Sequence, residues 1–121
     1  MANELLRVQG SRLVRGDGAE VVLRGVGLGG WMNMENFITG YPATESQQRR
    51  ALRRVLGDEG YHRFFERFYT AFFGPGDAAL LASLGLNSVR IPFHYHHFED
   101  DARPFELKDE GFARLDRAVR A

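Results

Sequence analysis

The sequence contains no cysteine, which excludes disulfide frameworks, zinc–thiolate sites and thiol nucleophiles together. It also has no net charge, because 16 Lys and Arg balance 16 Asp and Glu. Binding a polyanion takes surplus Lys and Arg, so neither nucleic acid nor an anionic membrane is expected as a partner. The most basic stretch, Arg49-Arg50 with Arg53-Arg54, reads as a solvated helix face. No stretch approaches the ~18 apolar residues of a membrane span. Met1 to Arg7 lacks a basic start followed by an apolar run, so no signal peptide is expected. A cytoplasmic location is the default expectation, although a removed leader would leave no trace. What is present is an ordinary globular balance, 44% apolar and 26% charged over 121 residues, enough for one domain around one core.

The turn signals at Gln9-Gly10-Ser11 and Arg15-Gly16-Asp17-Gly18 lie close together and predict a hairpin. Glu20 to Val26 follows, and its run Val21-Val22-Leu23 predicts a strand buried on both faces, as in a parallel sheet. Gly27 to Pro42 reads as an irregular loop. A polar helix is expected over Ser46–Leu56, stopped by Gly57. Asp58 is the expected cap of the next helix, whose Tyr61, Phe64, Phe65, Phe68 and Phe72 recur at steps of three and four and form one aromatic stripe. Gly74-Pro75-Gly76 ends it, and Asp77 is placed to cap a third helix. Ser88-Val89-Arg90-Ile91 then predicts a second strand, stopped by Pro92, which cannot donate to a ladder. After a loop rich in His, Asp and Pro, Asp109 opens a last helix with Phe112, Leu115 and Val119 on one face.

The order is hairpin, strand, helices, strand, loop, helix. It describes two βα units joined by crossovers, which build parallel sheets. Doubly wound sheets and (β/α)₈ barrels both begin this way, and both place their sites at the C-terminal ends of the strands.

Several residues there carry chemistry. Gly25-Val26-Gly27-Leu28-Gly29-Gly30 fits G-x-G-x-x-G. A dinucleotide site also needs a helix N-terminus directly behind it and an acid about 20 residues on; neither is in place, so the glycines are read as a sharp exit from the strand. His94 and His96 share a face if the chain is extended. With His97 they either start a metal site, as in metal-dependent barrel hydrolases, or hydrogen-bond a substrate from a polar loop; no acidic fourth ligand has matching spacing. Arg90, set between Val89 and Ile91, either reaches solvent from an edge strand or is buried against a carboxylate from elsewhere in the fold, the preferred reading. Trp31 follows Gly-Gly at a strand end, where an indole stacks on a sugar ring or packs the loop.

Two blocks resemble glycoside hydrolase family 5, the cellulase-like clan of retaining glycosidases. Leu23-Arg24-Gly25-Val26-Gly27-Leu28-Gly29-Gly30-Trp31, with Glu35 four residues on, is similar to the opening strand and loop of that family's exo-β-1,3-glucanase-type members. Leu84-Gly85-Leu86-Asn87-Ser88-Val89-Arg90-Ile91-Pro92 is similar to its second strand, and Gly111-Phe112 with Leu115-Asp116 to the helix before the third. Gly27, where the family often has Asn, and the histidines at 94, 96 and 97 depart from the pattern. The resemblance implies an α/β fold, the N-terminal portion of a (β/α)₈ TIM barrel comprising a hairpin and the first two βα units. It implies hydrolysis of β-glucans or β-glucosides with retention and without a cofactor. Arg90 matches an arginine that hydrogen-bonds the nucleophilic glutamate, Glu35 an acid that holds sugar hydroxyls, and Tyr95 falls near the pocket mouth. With Trp31, His94 and His96 these form the expected substrate-binding set.

A retaining mechanism needs two carboxyl groups about 5 Å apart. The resemblance puts them at the ends of the fourth and seventh strands, and no Glu of this chain matches either. A whole barrel takes ~250 residues. The expectation is therefore a truncated part of a catalytic domain spanning 1–121, inactive alone, whose partner is the missing C-terminal barrel half. The competing expectation is a non-catalytic carbohydrate-binding or structural domain derived from a barrel.

Overall fold

A computed structural model describes residues 5–121; Met1–Glu4, the start of the segment read for a leader, lie outside the described residues. The hairpin is present. Strands β1 (Arg7–Gln9) and β2 (Arg12–Val14) pair antiparallel, with Arg7 opposite Val14, around a turn in which Gly10 adopts φ +60°. Only a residue without a Cβ takes that conformation cheaply. Val14 is buried and bridges antiparallel to Glu20.

The second sheet is the parallel pair that two βα units require. Strand β3 (Gly25–Gly27) runs beside β4 (Ser88–Arg90), with Val26 opposite Val89 and Gly27 opposite Arg90. A parallel bridge between Met32 and Phe93 continues the pairing past a bulged loop. A Cβ on Gly25 would collide with the Ser88 backbone, so this glycine serves close strand approach. Gly30 has φ +82° and turns the chain off the strand end. No helix starts directly behind it, since α1 (Asn36–Thr39) is a single late turn.

The strand expected over 20–26 is shorter than its composition suggests. Val22 is 55% exposed and Leu23 52%, so the run is not buried on either face. Asn87 replaces the missing ladder there. Its amide donates to the Val22 carbonyl (2.9 Å) and accepts from the Arg24 N–H (2.8 Å), while its own N–H donates to the Arg24 carbonyl (2.8 Å). One side chain thus meets backbone groups that a neighbouring strand would otherwise pair.

Helix α2 (Glu45–Ala71) contains both expected helices. Thr44 caps it through a reciprocal box with Gln47. The break falls at Gly57, whose φ of 69° and ψ of 172° are not helical. Asp58, expected as a cap, instead pairs with Arg53 at 2.7 Å. Helix α3 (Pro75–Ser83) follows, and Asp77 is its third residue rather than its cap, accepting from the Gly74 N–H at 2.9 Å. After β4 come a 3₁₀ turn (Tyr95–His97) and helix α4 (Asp109–Arg120).

The core is small and aromatic. Trp31, Met32, Phe65, Tyr69 and Phe98 form its centre, with Leu52, Phe68, Ile91, Leu115 and Ala118 packed around them. On α4 the inward face is Gly111, Leu115 and Ala118, whereas Val119, expected with them, is 77% exposed. Gly111 sets this rotation, because a Cβ there would collide with the His97 carbonyl. The helix rests directly on the 3₁₀ turn.

Candidate functional site

Chain direction puts Arg90 at the C-terminal end of the parallel pair, with Glu35 and the His-rich segment on the loops that leave its two strands. Arg90 is the last residue of β4 and faces the last residue of β3 across the register. Its carbonyl accepts from the Leu28 N–H at 2.9 Å. Its guanidinium is exposed and has no ion-pair or hydrogen-bond partner among the described residues. The buried, carboxylate-bound arginine expected from sequence is therefore not what this chain shows; the edge-strand alternative describes its position. Glu35 sits half-buried on the loop leaving β3, immediately before α1. Its carbonyl accepts from the N–H groups of Ile38 and Thr39, both at 3.0 Å, which fixes its backbone at that turn.

Trp31 lies elsewhere. It is 1% exposed, its indole N–H donates to the Tyr69 carbonyl at 3.3 Å, and its ring stacks on Phe72 at 6.2 Å. Buried and hydrogen-bonded, it has no free face for a sugar, so loop packing describes its role and sugar stacking does not.

The His-rich segment divides into an outward and an inward part. His94, Tyr95 and His96 cluster closely, the first two stacked and His96 tilted against both, with centroids 4.8 Å, 4.1 Å and 4.7 Å apart around the trio. A 3₁₀ turn rather than an extended chain brings His94 and His96 together. The Tyr95 hydroxyl donates to Asp101 at 2.8 Å, and that carboxylate pushes the phenol pKa up from its ordinary value. His96 lies 3.8 Å from the same carboxylate. Among the described residues no group of three or more His, Asp or Glu side chains converges as a metal site.

His97 turns inward and is 8% exposed. Its ring meets Tyr69 edge-on at 5.2 Å, and Arg114 Nη1 lies 3.4 Å from its Nδ1. Burial, then the nearby guanidinium groups of Arg49 and Arg114, depress its pKa from 6.5 to about 4. The imidazole is neutral at physiological pH and accepts from Arg114.

The residues around His97 were missed in the sequence. Arg49 was read as part of a solvated basic face, yet only Arg50, Arg53 and Arg54 face water. Arg49 pairs with Glu45 at 2.7 Å, donates to the hydroxyls of Tyr69 (2.6 Å) and Tyr61 (3.2 Å), and lies over the Phe65 ring. Burial opposes its charge, but these hydrogen bonds outweigh it and hold its pKa above the usual value. Glu45 also accepts from the Met34 N–H at 2.9 Å, tying α2 to the strand-end loop. Arg114 lies over the Tyr69 ring, 4.5 Å from its centroid. With His94 and His96 these side chains line a cleft of about 260 Å³. Two signals were available: Glu45 and Arg49 are spaced i, i+4, and Tyr69 continues the aromatic stripe four residues beyond Phe65.

No protein-family model matches the chain. It is 58% identical over 114 residues to a β-xylosidase of Phanerodontia chrysosporium, covering 94% of this chain and 24% of that protein. It is 32% identical over 115 residues to a glucan 1,3-β-glucosidase of Lachancea kluyveri, covering 81% of this chain and 25% of the relative. A glucan 1,3-β-glucosidase of Schizosaccharomyces pombe is 32% identical over 105 residues, with 80% and 25% covered. The chain spans about a quarter of the length of these curated relatives. Over that quarter it is a homologue of glycoside hydrolases.

Proposed function

We propose that this chain forms the substrate-holding side of a retaining β-glycosidase site built on a (β/α)₈ barrel, acting on β-linked xylosides or glucosides. The 58% identity to a β-xylosidase over nearly the whole chain carries the reading. The parallel β3–β4 pair with helices between its strands supports the barrel. In this reading Glu35 binds hydroxyls of the sugar at the reaction centre. Arg90, exposed at the strand end, is the positioning group for a catalytic carboxylate. Tyr95, His94 and His96 form the rim, their joined rings offering an apolar face to the C–H groups of a sugar. Retention needs a nucleophile and an acid/base about 5 Å apart. The role of the present residues is to orient the glycan against that pair (alignment alone can contribute several kcal/mol to the barrier).

The test is a chimera in which this chain replaces the matching quarter of the Phanerodontia chrysosporium β-xylosidase. Hydrolysis of aryl β-xylosides is expected to persist. Glu35→Ala or Arg90→Ala in the chimera should lower kcat/KM by roughly a hundredfold or more, comparable to losing one transition-state contact. Residues 1–121 alone should turn over neither aryl β-xyloside nor aryl β-glucoside. A folded chimera inactive on both, or one indifferent to both substitutions, would defeat the proposal.

A further inference from the structure

The cleft beside the 3₁₀ turn holds positive charge that its own residues leave partly unanswered. Its lining carries two guanidinium groups, Arg49 and Arg114, and one carboxylate, Glu45. Glu45 is already engaged by Arg49 and by the Met34 N–H. Arg49 directs its donors to Glu45, Tyr61 and Tyr69. Arg114 differs. Its contacts are His97 Nδ1 at 3.4 Å and Glu110 at 3.2 Å, the latter a carboxylate that is 83% exposed. A guanidinium has five N–H donors, so most of Arg114's fork has no acceptor among the described residues. Yet its side chain is only 21% exposed, and the Tyr69 ring beneath it holds the fork in place.

A guanidinium held over a ring, whose open donors face the solvent rather than the core, matches a planar carboxylate, which it can bind with two parallel hydrogen bonds. A phosphate dianion fits less well, because Glu45 shares the cleft and repels the second charge. The remaining wall is formed by His94 and His96, continuous with the strand-end rim. A volume of about 260 Å³ admits one sugar ring or its substituent.

We propose that this cleft receives the carboxylate of an acidic sugar, so that the β-linked glycan taken at the strand ends carries a uronic acid beside the ring held there. The inference deepens the glycosidase reading and rests on it. Arg114 supplies the bidentate contact, Arg49 the supporting field, and His94 and His96 the flank against which the ring lies.

The experiment titrates the full chain by calorimetry or NMR with methyl β-glucuronide, methyl β-glucoside and acetate, at low and high salt. The glucuronide should bind about tenfold more tightly than the glucoside, the yield of one net charge-assisted hydrogen-bonded pair. That advantage should shrink with salt and fall close to unity in Arg114→Gln. Equal binding of the two glycosides overturns the acidic-sugar assignment and leaves the glycan reading standing. Acetate binding as tightly as the glucuronide also overturns it, because the sugar then contributes nothing. Binding of none overturns both readings. Should Arg114→Gln fail to fold, Arg114→Lys keeps the charge without the fork, and an unchanged glucuronide-to-glucoside ratio in that variant defeats the proposal.

Discussion

Helix α2 lines two hollows of opposite character. The first is the polar cleft of Glu45, Arg49, Tyr69, His97 and Arg114, in which each polar side chain has a protein partner. The second, about 530 Å³, is lined by Met34, Ile38, Leu52, Phe64, Phe68 and Phe72. Phe64 is 41% exposed there and Val55 at its margin 82%. Hydrogen bonds fix the first hollow by direction as well as distance, whereas the second is only an apolar surface without a cover among the described residues. Trp31 lies between them, its N–H on Tyr69 and its ring on Phe72. Rigidity on one side of α2 and adhesiveness on the other come from the same helix.

The severest way to break this contrast is to remove Trp31, which touches a lining residue of each hollow. Trp31→Ala should cost about 3–5 kcal/mol of unfolding free energy, the range for deleting a large buried aromatic. Urea denaturation followed by circular dichroism would measure it. A loss below about 1 kcal/mol would mean that the two hollows are not joined through the indole.

A second test addresses the polar side alone. His97 has its pKa depressed to about 4 in the fold against 6.5 in the unfolded chain. Between those values the unfolded state binds the extra proton, so stability rises with pH and is fully present above about 6.5. It is lost as pH falls toward 4, by about 3 kcal/mol if the whole shift is expressed. Protonation removes the acceptor that Arg114 uses and adds a third cation beside Arg49 and Arg114, with Glu45 the one carboxylate in the cleft. Denaturant midpoints at pH 7, 5.5 and 4.5 should show the decline, and His97→Gln should flatten it relative to the parent. Parallel curves for both proteins would remove His97 from the account.

The smallest effect belongs to the apolar side. Phe64→Ser should change stability by no more than about 0.5 kcal/mol, as for a surface substitution, while lowering the fluorescence of an apolar dye bound to the protein. A loss of several times that amount would show that the second hollow is core, and the comparison would fail.

Much of this arrangement was legible in the residues. Gly10 marked the hairpin, the aromatic stripe marked the apolar side of α2, of which Phe65 is buried and Phe64 and Phe72 are exposed, and Gly57 marked its break, because each is a local signal of backbone freedom or helical period. The burial of side chains was less legible, because it depends on neighbours far along the chain. Val22 and Leu23 have the composition of a buried strand, yet they are wet because no second surface meets them. Arg49 and Arg50 are adjacent and chemically alike, but one turns inward toward Tyr69 and the other outward. The three histidines gave no hint of which would be sealed in; Tyr69 and Arg114 cover the His97 ring, and only the fold supplies those contacts. Arg90 ends β4, as its setting before Pro92 indicated, whereas Glu35 lies further along the loop that leaves β3. The cleft between α2 and α4 escaped because its members come from three separate elements.

The clamp made by Asn87 has a kinetic consequence. It ties Arg24 to a residue 63 positions away, with α1, α2 and α3 in the intervening span. Helices form from local contacts within microseconds, whereas closing a loop of that size costs chain entropy before any ladder bond offsets it. The helical segment is therefore expected to organise early, and the β3–β4 pair to zip up only once α2 and α3 have shortened the distance between its strands. Loss of the Asn87 amide would then show more in the rate of reaching the native state than in the helices formed along the way, a sequence of events typical of topologies rich in distant contacts.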